Sequence, residues 1–399
     1  MTKILIVALG GGVVACVAAI VVAAGHATET ASSPLEPMGA WRTTLIVAGL
    51  VSFLCYAGAA AALRRHGPPL AAVLVIAVVV QLIPLLGPVL LSRDVYAYWA
   101  YGRIAAVHDA NPYADVPSQF PDDPAVERMG TSWLETTTIY GPVWTLVAGG
   151  VANAADSPGT AAFAFRAIAA GSMLAIIGLA TLLARNRPFA AAFVGWNPLL
   201  ALHFAGGGHN DALMMALVLS ALVLASRSQG QAAGLAWVTA IAVKWVAAAF
   251  AGLTLLGSHF RDRRLLTGLL AGGTAVAATS FLLFRSAWID AGSGLSSQAR
   301  RTGSIGLSGW LGDLGLAHRP TLAVIGVLTL AVIGWLSWQA WHGRVRLGLA
   351  GVLLAALQGW LNPWYAIWGV SLSAPEEDTA AHVGAILLTG LLLRDALPL

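Results

Sequence analysis

The sequence predicts an all-α polytopic membrane protein, a single integral domain over residues 1–399. Three observations carry this. Only 10% of the residues are charged and 58% are hydrophobic, with a mean hydropathy of +0.77, whereas soluble domains average about 25% charged residues. The apolar residues gather into runs of roughly 16–25, long enough to cross a hydrocarbon core as helices. The arginines collect in short linkers between those runs.

Ten runs read as spanning helices: residues 4–24, 44–63, 70–91, 160–184, 189–204, 211–226, 265–284, 320–341, 347–368 and 379–397. Two others need arbitration. Residues 142–155 are too short to cross a core of about 30 Å. They open with Pro142 after Gly141, a helix start, and read as an outer juxtamembrane helix. Residues 232–256 could cross once but carry Lys244 at the middle. The positive-inside rule decides between the alternatives. If 142–155 lies on the surface and 232–256 turns back as a re-entrant hairpin, one side collects Arg64-Arg65, Arg185/Arg187, Arg227, Arg261/Arg263/Arg264 and Arg344/Arg346. If both cross, Arg185, Arg187 and Arg227 move to the opposite side. The first arrangement is expected, in a plasma membrane, with Lys244 near the hairpin apex and both termini cytoplasmic. It leaves two large outer segments, 92–159 and 285–319, and places Glu376, Glu377 and Asp378 outside.

The net charge of +4 and the pI near 9.3 raise nucleic acid as a partner. Lysine occurs only at Lys3 and Lys244, with no basic tail, so the basic excess marks topology and nucleic acid is excluded. Cys16 and Cys55 both lie inside apolar runs, which excludes a disulfide framework and a thiolate metal site. Val-Ala-Ala-Ile-Val-Val follows Cys16, so the first run reads as an uncleaved span.

Several motifs could carry chemistry. Ser92-Arg93-Asp94-Val95-Tyr96-Ala97-Tyr98-Trp99 stands where the third run leaves the membrane. A carboxylate there feels desolvation and a neighbouring arginine in opposite senses, which can poise it as a general base. Asp94, Tyr98 and Tyr101 have helical spacing and share a face; the plainer alternative is an interfacial belt of Tyr, Trp and Arg. Asn111-Pro112-Tyr113 and Tyr140-Gly141-Pro142 punctuate the first outer segment. Trp196-Asn197-Pro198 precedes Gly206-Gly207-Gly208-His209-Asn210-Asp211, where a triple-glycine turn starts a helix. Asn210 or Asp211 is either simply its cap, or His209 and Asp211 face an outer cavity beside Asp94. One His and one Asp are too few to define a metal site. Lys244 needs a partner or a cavity, since a charge at mid-membrane costs about 3 kcal/mol or more. Arg300-Arg301 suits bidentate phosphate binding. Trp364, Tyr365 and Trp368 offer aromatic faces to a sugar, with Pro363 breaking the helix.

Taken in order over residues 92–368, these segments resemble the GT-C glycosyltransferase superfamily. They are most similar to the polyprenol-phosphate-mannose-dependent alpha-1,6-mannosyltransferases of actinobacteria. The resemblance implies a GT-C-like fold and a membrane enzyme with its active site on the extracytoplasmic face. Such an enzyme moves a hexose, expected to be mannose, from a polyprenyl-phosphate sugar to a cell-envelope glycan or glycolipid, by a single inverting displacement. It makes Asp94 the catalytic base and His209 a second acid/base or donor. Arg93 tunes Asp94, while Arg300, Arg301 and Lys244 meet the phosphate. Tyr96, Tyr98, Tyr140, Asn210, Asp211, Trp364 and Tyr365 complete the expected substrate site. No cofactor is required by these residues, and a divalent cation (magnesium or manganese) remains an open partner for the phosphate.

Two other function classes compete. A secondary transporter or lipid flippase would use Lys244, Arg166, His203 and Asp211 as a relay, but matching halves with paired Gly/Pro-broken spans are not found. A non-catalytic assembly subunit would tolerate loss of Asp94.

Overall fold

Backbone polar groups in an apolar solvent must be satisfied within their own segment, and helices dominate accordingly. The computed structural model describes residues 2–28, 36–37, 39–65, 67–290, 296, 298, 300–395 and 397. Among these, the only strand pairing is a two-residue antiparallel bridge, Ala27–Thr28 with Glu36–Pro37. Five helices of the described residues are long and apolar enough to cross a membrane: α1 (Thr2–Ala24), α2 (Ala40–Leu63), α6 (Pro158–Leu183), α12 (Arg263–Phe284) and α14 (His318–Trp341), the last preceded by the short α13 (Gly306–Asp313). A sixth candidate is the pair Arg187–Gly195 (α7) and Pro198–Gly206, bent by 50°. Its second part joins α8 (Pro198–Ala201) to a π-turn, Leu202–Gly206.

Close glycine contacts fix the directions of the helices. An added Cβ at Gly12 would meet Cys55 Sγ at 3.0 Å and one at Gly58 would meet Leu9 at 3.7 Å, so α1 and α2 are antiparallel. There follow α3 (Leu70–Leu82), α4 (Asp94–Ala106) and α5 (Pro142–Ala154). Gly102 of α4 approaches Ala148 of α5 so closely that a Cβ would stand 2.2 Å from the Ala148 carbonyl. The expected outer helix is therefore seated on the bundle, with Trp144 buried beneath it.

The 232–256 run divides into α10 (Gly230–Val243) and α11 (Ala247–Gly257), broken at Lys244-Trp245-Val246. Gly230 abuts Asp262 and Arg264, Gly268 abuts Gln231 and Gly272 abuts Leu235 and Val238. Thus α10 and α12 are parallel. The chain must return along α11 to the level where α10 began.

The run at 347–368 departs from the sequence reading. It was expected to cross once, but it forms two helices, α15 (Leu347–Ala356) and α16 (Ala366–Ser373), with a 3-10 turn, Pro363–Tyr365, between them. Gly348 lies against Ser373, and Gly351 and Gly369 against Trp368 and Val352, so the two are antiparallel. The helix breaks because Asn362-Pro363 cannot continue it, a signal outweighed in the sequence by the flanking hydrophobicity. Residues 376–378 consequently sit at the arginine end, contrary to their expected outer position. There Asp378 pairs with Arg346 at 2.7 Å and Glu377 with Arg185 at 3.2 Å. The last helix, α17 (Thr379–Asp395), then runs away from that end. His382 is 2.6 Å from Arg64, Gly390 meets Phe53 and Leu397 meets Gly49. Leu397 thus lies away from the arginine linkers, on whose side the C-terminus was expected.

Those linkers do share one end of the bundle. Asn186 donates to the Leu63 carbonyl at 2.9 Å, Gly67 abuts Pro188, Gly230 abuts Arg264 and Gly257 abuts Val345. The opposite end carries Asp94 and the start of α9 (Asp211–Ser226).

Candidate active site

Both acids of the site occupy the first position of a helix, where unpaired backbone N–H groups favour negative charge. Asp94 opens α4, and its N–H donates to Ser92 Oγ at 3.1 Å. Asp211 opens α9. The chain reaches Asp211 through the π-turn and then Gly208, whose φ of +72° and contact with Val95 (2.5 Å from an added Cβ) exclude a side chain. This turn delivers His209 to Asp94, with Nδ1 3.5 Å from Oδ2. His209 is buried and stacks on Trp364 at 3.8 Å between centroids.

Asp211 is fully buried and doubly engaged. Its Oδ2 accepts from Lys244 Nζ at 2.6 Å and its Oδ1 from Trp368 Nε1 at 2.8 Å. The Lys244 ammonium also lies 5.1 Å from the Tyr365 ring centroid, and Tyr365 stacks on Trp368 at 4.4 Å. Lys244 is extended between α10 and α11, so the break itself turns its side chain to the site. The α10–α11 apex is docked on residues 139–141. Gly141 N–H donates to Val243 O at 3.2 Å and Trp245 Nε1 to Ile139 O at 3.1 Å. A Cβ at Gly141 would stand 2.1 Å from the Ala242 carbonyl, which explains the glycine of Tyr140-Gly141-Pro142.

These groups border a cavity of about 880 Å³. Arg93, Asp94, Tyr140, Lys244, Trp364 and Tyr365 line it, with His209 and Asp211 immediately behind. The cavity has a polar, aromatic rim from Gly130–Trp133, Gln298 and Gln358–Trp360. It also has an apolar arm along Leu322, Ile325, Gly326 and Leu330 of α14. From Leu322 to Leu330 that arm runs about 12 Å down the helix.

Other expected residues fall elsewhere. Tyr98 is buried in an aromatic cluster with Tyr140, Trp144 and Phe165, beneath the cavity. Tyr96 is not among the lining residues. Asn210 is buried without a side-chain capping bond, and its amide finds no hydrogen-bond partner among the described residues. Arg300 is exposed and donates to Ser296 at 3.3 Å. Arg301 lies over the Trp133 and Trp360 rings, 5.2 and 4.9 Å from their centroids. The cations on the described cavity wall are therefore Arg93 and Lys244. The Asn111-Pro112-Tyr113 motif is structural: Asn111 ties to the Phe284 carbonyl at 2.7 Å, and the Tyr113 hydroxyl to Tyr140 O at 3.0 Å.

Sequence reasoning passed over Trp133, saw Trp245 beside Lys244 and Trp360 in the last motif without giving either a role, and did not name Trp368 as the partner of Asp211. It also missed Asp123 as the lock of the outer segment. Arg103 Nε (2.8 Å) and His108 Nε2 (2.6 Å) converge on Asp123. Burial alone would raise the pKa of this carboxyl. Hydrogen bonds from His108, the Ala125 N–H and Arg103 outweigh that and hold it below the usual carboxylate range.

A divalent ion fits this donor set poorly. Among the described residues no three His, Cys, Asp or Glu side chains converge, and Asp211 is turned to Lys244 and Trp368.

Comparison with known proteins gives the family. The family described as alpha-(1->6)-mannopyranosyltransferase, N-terminal domain, matches residues 2–260. Alpha-(1->6)-mannopyranosyltransferase A of Mycobacterium tuberculosis is 32% identical over 250 residues, 58% of this chain and 47% of that protein. Its namesake in Corynebacterium glutamicum is 30% identical over 182 residues, 43% of this chain and 36% of that protein. Alpha-(1->6)-mannopyranosyltransferase B of the same organism is 30% identical over 175 residues, 41% of this chain and 29% of that protein. The matches thus span half or less of these relatives' length. No solved structure matches. With Asp94, His209, Asp211 and Lys244 all inside a match that covers well over half of its residues, the chain belongs to the alpha-(1->6)-mannopyranosyltransferase N-terminal domain family.

Proposed function

We propose that this protein transfers mannose from a polyprenyl-phosphate sugar to an envelope glycan or glycolipid acceptor, at the outer face of the plasma membrane. One observation carries the reading. A carboxylate, Asp94, and an ammonium, Lys244, border a single cavity that also extends about 12 Å down an apolar helix face. A donor with a lipid chain, a phosphate and a sugar has these three requirements together.

In this reading Asp94 accepts the proton of an acceptor hydroxyl as its oxygen attacks the anomeric carbon. The bond from that carbon to the phosphate oxygen breaks, the lipid phosphate leaves with the electron pair, and the configuration inverts. Arg93 and Lys244 stabilise the charge that develops on the leaving phosphate. Asp211 and Trp368 hold Lys244 in place, and His209 fixes the orientation of Asp94.

The membrane arrangement follows from the arginines. Their shared end is cytoplasmic by the positive-inside rule, which puts Asp94 outside. The α10–α11 segment is then the expected re-entrant hairpin, and α15–α16 a second one in place of the ninth crossing. Irregular backbone at such apices is tolerated where it lines a cavity.

The test is Asp94→Asn in proteoliposomes, with polyprenyl-phosphate mannose as donor. Loss of general-base catalysis lowers transfer by about 10²–10⁴-fold. Transfer at the wild-type rate would remove Asp94 from the mechanism.

A further inference from the structure

The cavity rim carries chemistry that the displacement at Asp94 does not use. Trp133 comes from the first outer segment and Trp360 from the α15–α16 turn, and their ring centroids are 6.4 Å apart. Arg301 comes from a third segment and lies over both rings. The described ion pairs do not include Arg301. It is not itself one of the residues that line the cavity; it packs on the two rings that do. The arrangement is built: Gly303 N–H donates to Gly359 O at 2.9 Å, and Ser308 Oγ donates to the same carbonyl at 2.6 Å. A Cβ at Gly359 would stand 2.7 Å from the Arg301 carbonyl. Gln298 and Gln358 line the cavity beside the rings.

We propose that Trp133 and Trp360, held in place by Arg301, form with Gln298 and Gln358 a binding subsite for a hexose ring of the acceptor one or more residues away from the reacting sugar. This rests on the glycosyltransferase reading above. A hexose offers a C–H face that packs on indole, and hydroxyls that suit amide donors. A lipid chain offers neither. The rim also lies at the Asp94 end of the bundle, beyond the apolar arm on α14, where an acceptor glycan approaches from water. The subsite makes the enzyme prefer an oligosaccharide acceptor over a single sugar.

The experiment uses the full chain in nanodiscs, polyprenyl-phosphate mannose, and linear mannosides of one, two and three units. The wild type prefers the trimannoside, measured as the ratio of kcat/KM between trimannoside and monomannoside. Trp133→Ala lowers that ratio about tenfold, and Trp133→Phe lowers it by about threefold or less. If the alanine variant does not fold, Arg301→Met carries the same test, with a drop of about threefold or more expected. An equal loss on all three acceptors overturns the subsite. So does a rise in donor KM with the length preference intact, which would assign the rim to the donor. If the wild type transfers mannose to none of the acceptors, the underlying glycosyltransferase reading fails instead.

Discussion

The Lys244–Asp211 pair makes a prediction whose two halves are unequal. The Asp211 side chain has no solvent exposure, while that of Lys244 is 19% exposed toward the cavity. Lys244→Met therefore strands a carboxylate that cannot reach water and retains only the Trp368 indole N–H. Asp211→Asn strands an ammonium that can still lean into the cavity, and the amide oxygen can still accept from Trp368. Breaking a buried pair by removing one partner costs about 3–5 kcal/mol. Lys244→Met belongs at the upper end of that range and Asp211→Asn at or below the lower end. A loss of 3–5 kcal/mol lowers the folded-to-unfolded ratio by between about a hundredfold and a few thousandfold. The double variant Asp211→Leu with Lys244→Met removes both charges and fills the space with apolar side chains. It should be more stable than Lys244→Met alone, because replacing a buried ion pair with hydrophobic residues is often neutral. The assay is SDS-induced unfolding in bicelles, followed by tryptophan fluorescence, for both singles, Asp211→Leu and the double. Equal singles, or a double variant as unstable as the sum of its parts, would refute the argument that the carboxylate's burial sets the cost.

Two further outcomes follow from particular contacts. Gly141→Ala places a methyl 2.1 Å from the Ala242 carbonyl and must push the α10–α11 apex off the outer segment; transfer activity should fall by more than tenfold, with a shift in tryptophan emission from the loss of the Trp245 contact. Glu376, in the linker before α17, has its carboxyl pushed up to about 7, chiefly by burial, against the Gly348 N–H and with Asp378 adding to the rise. Because the folded value lies above the ordinary 4.5, the folded state holds the extra proton. The stability from this group is full below pH 4.5 and declines as pH rises through about 7, by about 3 kcal/mol in total. Glu376→Gln should flatten that window in a pH series of unfolding midpoints.

Much of the architecture was legible in the sequence because membrane insertion is written in composition and linker charge. The arginine linkers share one end, and the 232–256 run breaks at Lys244, which finds the partner that a charge in an apolar run needs in Asp211. Asp94, His209, Asp211 and Lys244 converge as the motif order implied. The α15–α16 turn was obscured because Gly, Leu and Ala on both sides hide the nine-residue interruption between the helices. With it went the placement of Glu376, Glu377 and Asp378. The surroundings of Arg301 were hidden for a different reason. A guanidinium can satisfy phosphate or an aromatic face equally well, and only the fold shows that Trp133 and Trp360 already stand beside it. Asp123 left no signal because its partners, Arg103 and His108, lie 20 and 15 residues away in an irregular segment.

The two broken helices also impose an order on biosynthesis. Asp211 precedes Lys244 by 33 residues, so the ribosome delivers the lysine to a carboxylate that already exists. Trp368 follows Asp211 by 157 residues, and Trp364 follows His209 at a similar remove. Until the α15–α16 turn is made, a nascent chain holds Asp211 and Lys244 without the Trp368 indole, and His209 without the ring of Trp364. A chain stalled before Pro363 would therefore have both charges of the buried pair but not the aromatic wall that packs against them.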